Sequence, residues 1–249
     1  MKKRSEIIVE WEITLLCNYS CFYCTNLDPS IKPVLEESRI DQFIKFLGEE
    51  YPGTEIFVFG GEPFIHPKIE FIIKTFNKYN VPFVIQTNCS KKSISVMKKI
   101  TDPYMVQISV HPTQISLENL SIPSDVNIRV IDVMYTGKEA IDYYMKVKNK
   151  APNVYLTPVA DFGDGKSTTS LREYNRLKNS KAWNKIIKFE NVKRLGDDRS
   201  KLWEDYSPQG KPCHYIDTYF LYSPNLDLFN CCYRENHNGI CNHDKCFLM

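Results

Sequence analysis

Three cysteines stand close together near the start of the chain, in the run Cys17-Asn18-Tyr19-Ser20-Cys21-Phe22-Tyr23-Cys24. Their C-x3-C-x2-C spacing lets three thiolates wrap one face of a metal centre. Zinc sites and ferredoxin-type clusters instead draw four ligands, commonly from paired C-x2-C units. The next cysteine is Cys89, so the local set stops at three. A four-iron cluster held by three thiolates keeps one iron without a protein ligand, and that iron is open to a substrate or cofactor. The same spacing also fits a zinc knuckle, or three reduced cysteines in a core.

A second group of reactive types follows at residues 55–63, Glu-Ile-Phe-Val-Phe-Gly-Gly-Glu-Pro. It reads as an apolar strand ending in Gly60-Gly61-Glu62-Pro63. Two glycines let backbone come close to a ligand, a carboxylate at Glu62 suits an ammonium group, and Pro63 stiffens the exit. A tight strand-to-helix loop would use the same four residues.

The elements that must position these groups follow from hydrophobic periodicity. Strands are predicted at 7–16, 55–59, 82–88, 104–110, 126–134 and 153–160. Between them, Ile40, Phe43, Ile44 and Leu47 form one helical stripe, and Ile69, Ile72, Ile73 and Phe76 another, with Pro67 at its start. A lysine-rich helix is expected to about Ile100, and Thr136 to Glu139 has capping-box spacing for a helix through Lys150. Six strand-helix units in succession demand a parallel sheet with right-handed crossovers. The fold class is therefore α/β, a partial and open (β/α)6 barrel of the TIM type. In such barrels chemistry gathers at the carboxyl ends of the strands, and both motifs fall there.

The cysteine run, with Tyr23 before its third cysteine, and the Gly-Gly-Glu-Pro turn after the second strand together resemble the radical S-adenosylmethionine (SAM) superfamily. The likeness extends over at least residues 7–161. It implies a 4Fe-4S cluster on Cys17, Cys21 and Cys24, with SAM bound at its open iron. It also implies that the segment Gly60, Gly61, Glu62 and Pro63 holds the amino group of the cofactor's methionine. Thr87-Asn88 resembles the family's Thr-Asn-Gly step, so Asn88 is carried over, with Cys89 standing where the glycine would be. Ser109 matches a serine that contacts the cofactor's carboxylate or ribose, whereas His111 and Pro112 depart from the family's Asp-Gly. His111, Asp132, Tyr135 and Asp161 lie near the expected mouth, either as substrate contacts or as ordinary loop and cap residues. Cys89 is read either as a hydrogen-atom donor, which would make the enzyme an epimerase, or as a buried small residue in the glycine's place.

Beyond the sixth strand the pattern changes. Residues 1–165 form the barrel core, 166–212 a helix from Ser170 and a linker packed on the barrel, and 213–249 a cysteine-rich extension. That extension holds Cys213, Cys231, Cys232, Cys241 and Cys246 around a hairpin through Tyr215–Tyr222 and Asp227–Phe229. A hairpin flanked by cysteines resembles the SPASM or twitch extensions of radical SAM enzymes, with Leu226 in place of the usual glycine. The resemblance implies an auxiliary 4Fe-4S cluster on Cys213, Cys231, Cys241 and Cys246, with Cys232 as a substitute. Zinc on those cysteines, or with His214, His237 or His243, is the alternative.

The rest of the composition narrows the function. A formal charge of +2 with both signs interspersed gives no nucleic-acid surface. No apolar run approaches the ~20 residues of a membrane span, and the start is not that of a signal peptide. Nine cysteines without a secretion signal point to a reducing, cytoplasmic setting. The family implies partners: SAM, and a one-electron donor such as flavodoxin or ferredoxin. The expected substrate is a peptide to be oxidised, cross-linked or epimerised, with a sugar or other small metabolite as the alternative. The short stretch before Cys17 leaves no room for a leader-binding domain, so a separate protein is expected to present any peptide. The reading of a different class is a non-enzymatic zinc protein.

Overall fold

The protein is described here by a computed structural model, over residues 7–24, 35–158 and 218–230. Strand β1 (Ile8–Thr14) alternates as its sequence requires: Val9, Trp11 and Ile13 are buried, and Glu10 and Glu12 point to the opposite face. Helix α1 (Glu37–Glu50) buries Ile40, Phe43, Ile44 and Leu47, the stripe predicted for it. After β2 (Ile56–Gly60) a 3-10 turn (Pro63–Ile65) leads into α2 (Ile69–Lys78), which buries Ile69, Ile72, Ile73 and Phe76. Trp11 packs edge-on against Phe43 at 5.0 Å, and Phe76 stacks on Phe83 at 4.5 Å, so β1, α1, α2 and β3 (Phe83–Thr87) share one core.

The chain continues through α3 (Lys91–Met97), β4 (Met105–Val110), β5 (Asn127–Tyr135), α4 (Ala140–Val147) and β6 (Asn153–Pro158). Three helix starts or ends differ from expectation. Helix α2 begins at Ile69 with Lys68 as its cap, so Pro67 precedes the helix instead of opening it. Helix α3 stops at Met97, short of Ile100. Thr136 donates to the Glu139 carboxylate at 3.4 Å, but α4 starts only at Ala140 and no side chain caps it, so the capping box does not form. The predicted helix from Ser170 and the linker after it lie outside the described residues.

The strand order is β6-β5-β4-β3-β2-β1-β7-β8, where β7 is Tyr219–Tyr222 and β8 is Leu228–Phe229. Strands β1 to β6 are mutually parallel, and the sheet does not close on itself. This is the open, partial barrel expected. Its helices bury the apolar side of the sheet, while the inner side carries polar pairs. Gln86 donates to Ser109 at 3.1 Å, and Asp132 accepts from Gln107 at 2.8 Å and from Thr157 at 3.2 Å.

The hairpin does not stand apart from the barrel. Strand β7 runs parallel to β1, with Ile8 opposite Tyr219 and Trp11 opposite Tyr222, and β8 turns back antiparallel to it. Leu226 has a φ of 71°, the left-handed conformation a glycine adopts without cost. The Ser223 hydroxyl holds that turn by accepting from Asn225 and Asp227 N–H at 3.2 and 3.0 Å. No described helix is long and apolar enough to cross a membrane.

Candidate active site

With β1 to β6 parallel, the segments that follow each strand leave from one edge of the sheet. The cysteine loop leaves β1 there, and the Gly-Gly-Glu-Pro turn leaves β2 beside it. The two are joined through backbone: Gly61 N–H donates to Thr14 O at 2.7 Å and Glu62 N–H to Leu16 O at 2.8 Å. This contact explains both glycines. Gly60 has a φ of 136°, and a Cβ on it would lie 2.2 Å from Thr14 O; a Cβ on Gly61 would lie 2.1 Å from Leu16 O. The close approach the glycines permit is therefore to the chain's own cysteine loop, where the sequence alone pointed to a ligand.

Glu62 also differs from expectation. Its side chain is 0% exposed and turned inward. Oε1 accepts from Phe64 N–H at 3.0 Å and from the Thr87 hydroxyl at 2.8 Å, and Oε2 accepts from Asn88 N–H at 2.7 Å. The carboxylate thus ties the exit of β2 to the exit of β3 and has no exposed surface for an ammonium group. Burial pushes its pKa up, against the pull of those donors. Pro63 opens the 3-10 turn that Glu62 caps.

Asn88 carries the link onward to the cysteines. Its Nδ2 donates to Asn18 Oδ1 at 3.0 Å and lies 3.7 Å from Cys17 Sγ, while its Oδ1 accepts from Ser90 N–H at 3.0 Å. On the other side of the loop, His111 Nδ1 lies 2.7 Å from the Tyr23 hydroxyl and 3.6 Å from Cys21 Sγ. Gln114 binds the backbone of Ser20. Burial holds the His111 imidazole at a pKa of about 4, so the ring is neutral near pH 7.

The cysteines themselves suit a cationic centre. Burial raises the Cys17 thiol, with Glu62 and Cys24 adding to the effect; Cys21 is pushed up to about 11 by burial, with Cys24 and Cys17 again raising it. The Cys17 and Cys21 thiols and the buried Glu62 carboxyl resist ionisation until a positive centre joins them. Among the described residues, no three His, Cys, Asp or Glu side chains converge on a point that fits a single metal ion.

The remaining predicted residues are dispersed. Ser109 is buried one residue before the end of β4 and accepts from Gln86. Cys89 is 1% exposed, with its thiol 3.8 Å from Ser121 O and its pKa raised to about 12 by burial. Its φ of 51° lies in the left-handed region that favours glycine, and a hydrogen-donor role would need a rearrangement that exposes the thiol. Asp132 lies inside the barrel against Gln107 and Thr157, and Tyr135 is buried in the core. Asp161, Cys213, Cys231, Cys232, Cys241 and Cys246 lie outside the described residues. Gln114 sits in no motif with a fixed spacing, and Asn18 is a spacer position between Cys17 and Cys21, so the sequence singles out neither.

The sequence profile of the radical SAM superfamily matches residues 11–157. No curated protein matches. Among solved structures, Streptococcus suis SuiB bound to S-adenosylmethionine superposes with a TM-score of 0.62 at 14% identity, over 94% of this chain and 62% of that one. SuiB bound to the precursor peptide SuiA gives 0.55 at 13% identity, over 98% and 64%. A further SuiB structure gives 0.53 at 12%, over 91% and 60%. At these identities the likeness is one of fold, and the chain spans about three fifths of SuiB's length.

Proposed function

Because this chain belongs to the radical SAM superfamily, we propose that it binds a 4Fe-4S cluster through Cys17, Cys21 and Cys24, binds SAM beside it, and modifies a peptide. The observation that carries this reading is the junction of the two motifs. The Gly60–Pro63 turn is hydrogen-bonded to the chain entering the cysteine loop, and Glu62 and Asn88 extend the same network to Cys17. Such a cluster, when bound and reduced, supplies the electron that splits SAM into methionine and a 5′-deoxyadenosyl radical, which removes a hydrogen atom from the substrate.

The chain's own residues hold and orient. The backbone of the Gly60–Pro63 turn would hold the methionine amino group, and Ser109 would serve its carboxylate or the ribose. Asn88 fixes Cys17, and Tyr23 packs beside Cys21. The polar inner face of the sheet, with Gln86, Gln107, Asp132 and Thr157, offers hydrogen bonds to a peptide backbone or a polar side chain. The fold likeness to SuiB, itself solved with a precursor peptide, supports a peptide substrate over a small metabolite. An auxiliary 4Fe-4S cluster on Cys213, Cys231, Cys241 and Cys246, or with Cys232 in place of one of them, would accept the electron left on the substrate. The net reaction is then oxidation or cross-linking. Flavodoxin or ferredoxin would supply the first electron.

The test is anaerobic iron and sulfide analysis of the wild type and of a Cys17/Cys21/Cys24→Ala triple variant. Both are assayed with dithionite and SAM for 5′-deoxyadenosine. About eight irons falling to about four, with 5′-deoxyadenosine lost, is the expected result. Four falling to none keeps the radical chemistry and removes the auxiliary cluster. A reconstituted wild type with no iron and no 5′-deoxyadenosine overturns the reading.

A further inference from the structure

The turn that leaves β4 also closes on the cysteine loop. Gln114 takes both polar backbone atoms of Ser20: its Oε1 accepts from Ser20 N–H at 3.1 Å and its Nε2 donates to Ser20 O at 3.3 Å. The His111 ring stacks on Tyr23, with centroids 6.0 Å apart and planes 14° from parallel, and meets Tyr19 edge-on, also at 6.0 Å. The turn is itself braced. Gln114 N–H donates to His111 O at 2.9 Å, and the Tyr143 hydroxyl of α4 donates to Ile115 O at 2.6 Å. Residues 19–23 are thus held by a neighbour ninety positions away in sequence, and one atom of that neighbour, His111 Nδ1, reaches a cysteine sulphur at 3.6 Å.

The chemistry of that contact depends on which group carries the proton. A neutral imidazole has one N–H, and Nδ1 either accepts from the Tyr23 hydroxyl or donates. A cysteine sulphur bound to iron has no proton and only accepts. We propose that His111 is a positioning residue for the cluster, with Nδ1–H shared between Cys21 Sγ and the Tyr23 oxygen, and that this hydrogen bond raises the reduction potential of the cluster. A hydrogen bond to a ligand sulphur draws charge from it and favours the reduced state. The inference rests on the proposed function, since it needs iron at the cysteine loop.

The experiment is a redox titration of the reconstituted holoenzyme without SAM, followed by electron paramagnetic resonance (EPR). The triple cysteine variant is titrated alongside, so that the signal of any other cluster can be subtracted. His111→Phe keeps the stacking on Tyr23 and removes the donor; its midpoint is expected to move to lower potential at equal iron content. His111→Asn, which returns an amide near the position of Nδ1, is expected to recover part of the shift. Pulsed EPR of wild type labelled with 15N-histidine adds a readout that does not depend on a variant folding. A weak nitrogen coupling to the reduced cluster, lost in His111→Asn, supports the contact. An unchanged midpoint in His111→Phe at full iron content, or no nitrogen coupling in the iron-loaded wild type, overturns the role of His111 alone. A wild type without iron at the cysteine loop overturns the proposed function, and this inference with it.

Discussion

Glu62 and His66, four residues apart, show how the same burial acts on an acid and on a base. Burial raises the Glu62 carboxyl and lowers the His66 imidazole, whose pKa falls to about 4, with the Lys68 charge adding to the effect. His66 Nδ1 accepts from Lys68 N–H at 3.2 Å, a bond only the neutral ring can make. Its folded pKa lies below the ordinary value of 6.5, so between about pH 6.5 and pH 4 the unfolded chain binds a proton that the folded one refuses. Stability should therefore fall as pH drops through that window, by up to about 3 kcal/mol from His66, and level off below it. Urea unfolding of the metal-free protein from pH 7 to pH 4 measures this. His66→Asn, which keeps an acceptor for Lys68 N–H, is expected to flatten the profile, and an unchanged slope would remove His66 as its source.

At the scale of elements, the site is a junction of strand exits more than a pocket. Gly61 decides whether the exit of β2 can lie against the exit of β1. A methyl group there would meet Leu16 backbone at 2.1 Å, and backbone yields less readily than a side-chain tip. Gly61→Ala is therefore expected to push the cysteine loop off the turn. Iron retention after reconstitution should drop at least tenfold, while far-UV circular dichroism keeps the helix and strand content of wild type. Full iron retention in Gly61→Ala would mean that the loop is positioned by other contacts. Cys89 and Leu226 illustrate the converse. Both hold the left-handed backbone that glycine adopts without cost, at φ of 51° and 71°. Their surroundings hold that geometry at a local cost of roughly 1 kcal/mol each.

For the whole molecule, the placement of β7 is the decisive feature. With β2 on one side and β7 on the other, β1 is an interior strand, and the loop that follows it starts from a paired backbone. Side-chain contacts, three of them across Glu10, Tyr51 and Phe43, help hold the hairpin there. The Tyr219 hydroxyl donates to Glu10 at 2.6 Å, the hydroxyls of Tyr51 and Tyr222 lie 3.0 Å apart, and Tyr222 packs edge-on to Phe43 at 4.9 Å. Tyr219→Phe removes a donor from a partly buried carboxylate and is expected to cost about 1 kcal/mol in urea unfolding. The same comparison in a Glu10→Gln background should show a smaller loss, because the neutral amide binds the hydroxyl less strongly. Equal losses in both backgrounds would assign the effect to packing instead of the hydrogen bond.

The sequence by itself determined the three-cysteine spacing, the six parallel strands, the stripes that bury α1 and α2, and the edge of the sheet at which the motifs meet. All of these are local: a cysteine spacing or an apolar period of two or 3.6 is written in adjacent residues. The tertiary structure alone decided that Glu62 turns inward, that the two glycines approach the chain's own loop, and that His111 and Gln114 grip that loop. It also decided that β7 lies beside β1. These are contacts between positions up to 209 residues apart, made by single side chains or by backbone. Such contacts leave no period or spacing in the sequence, because they exist only once the sheet has brought the strand ends together.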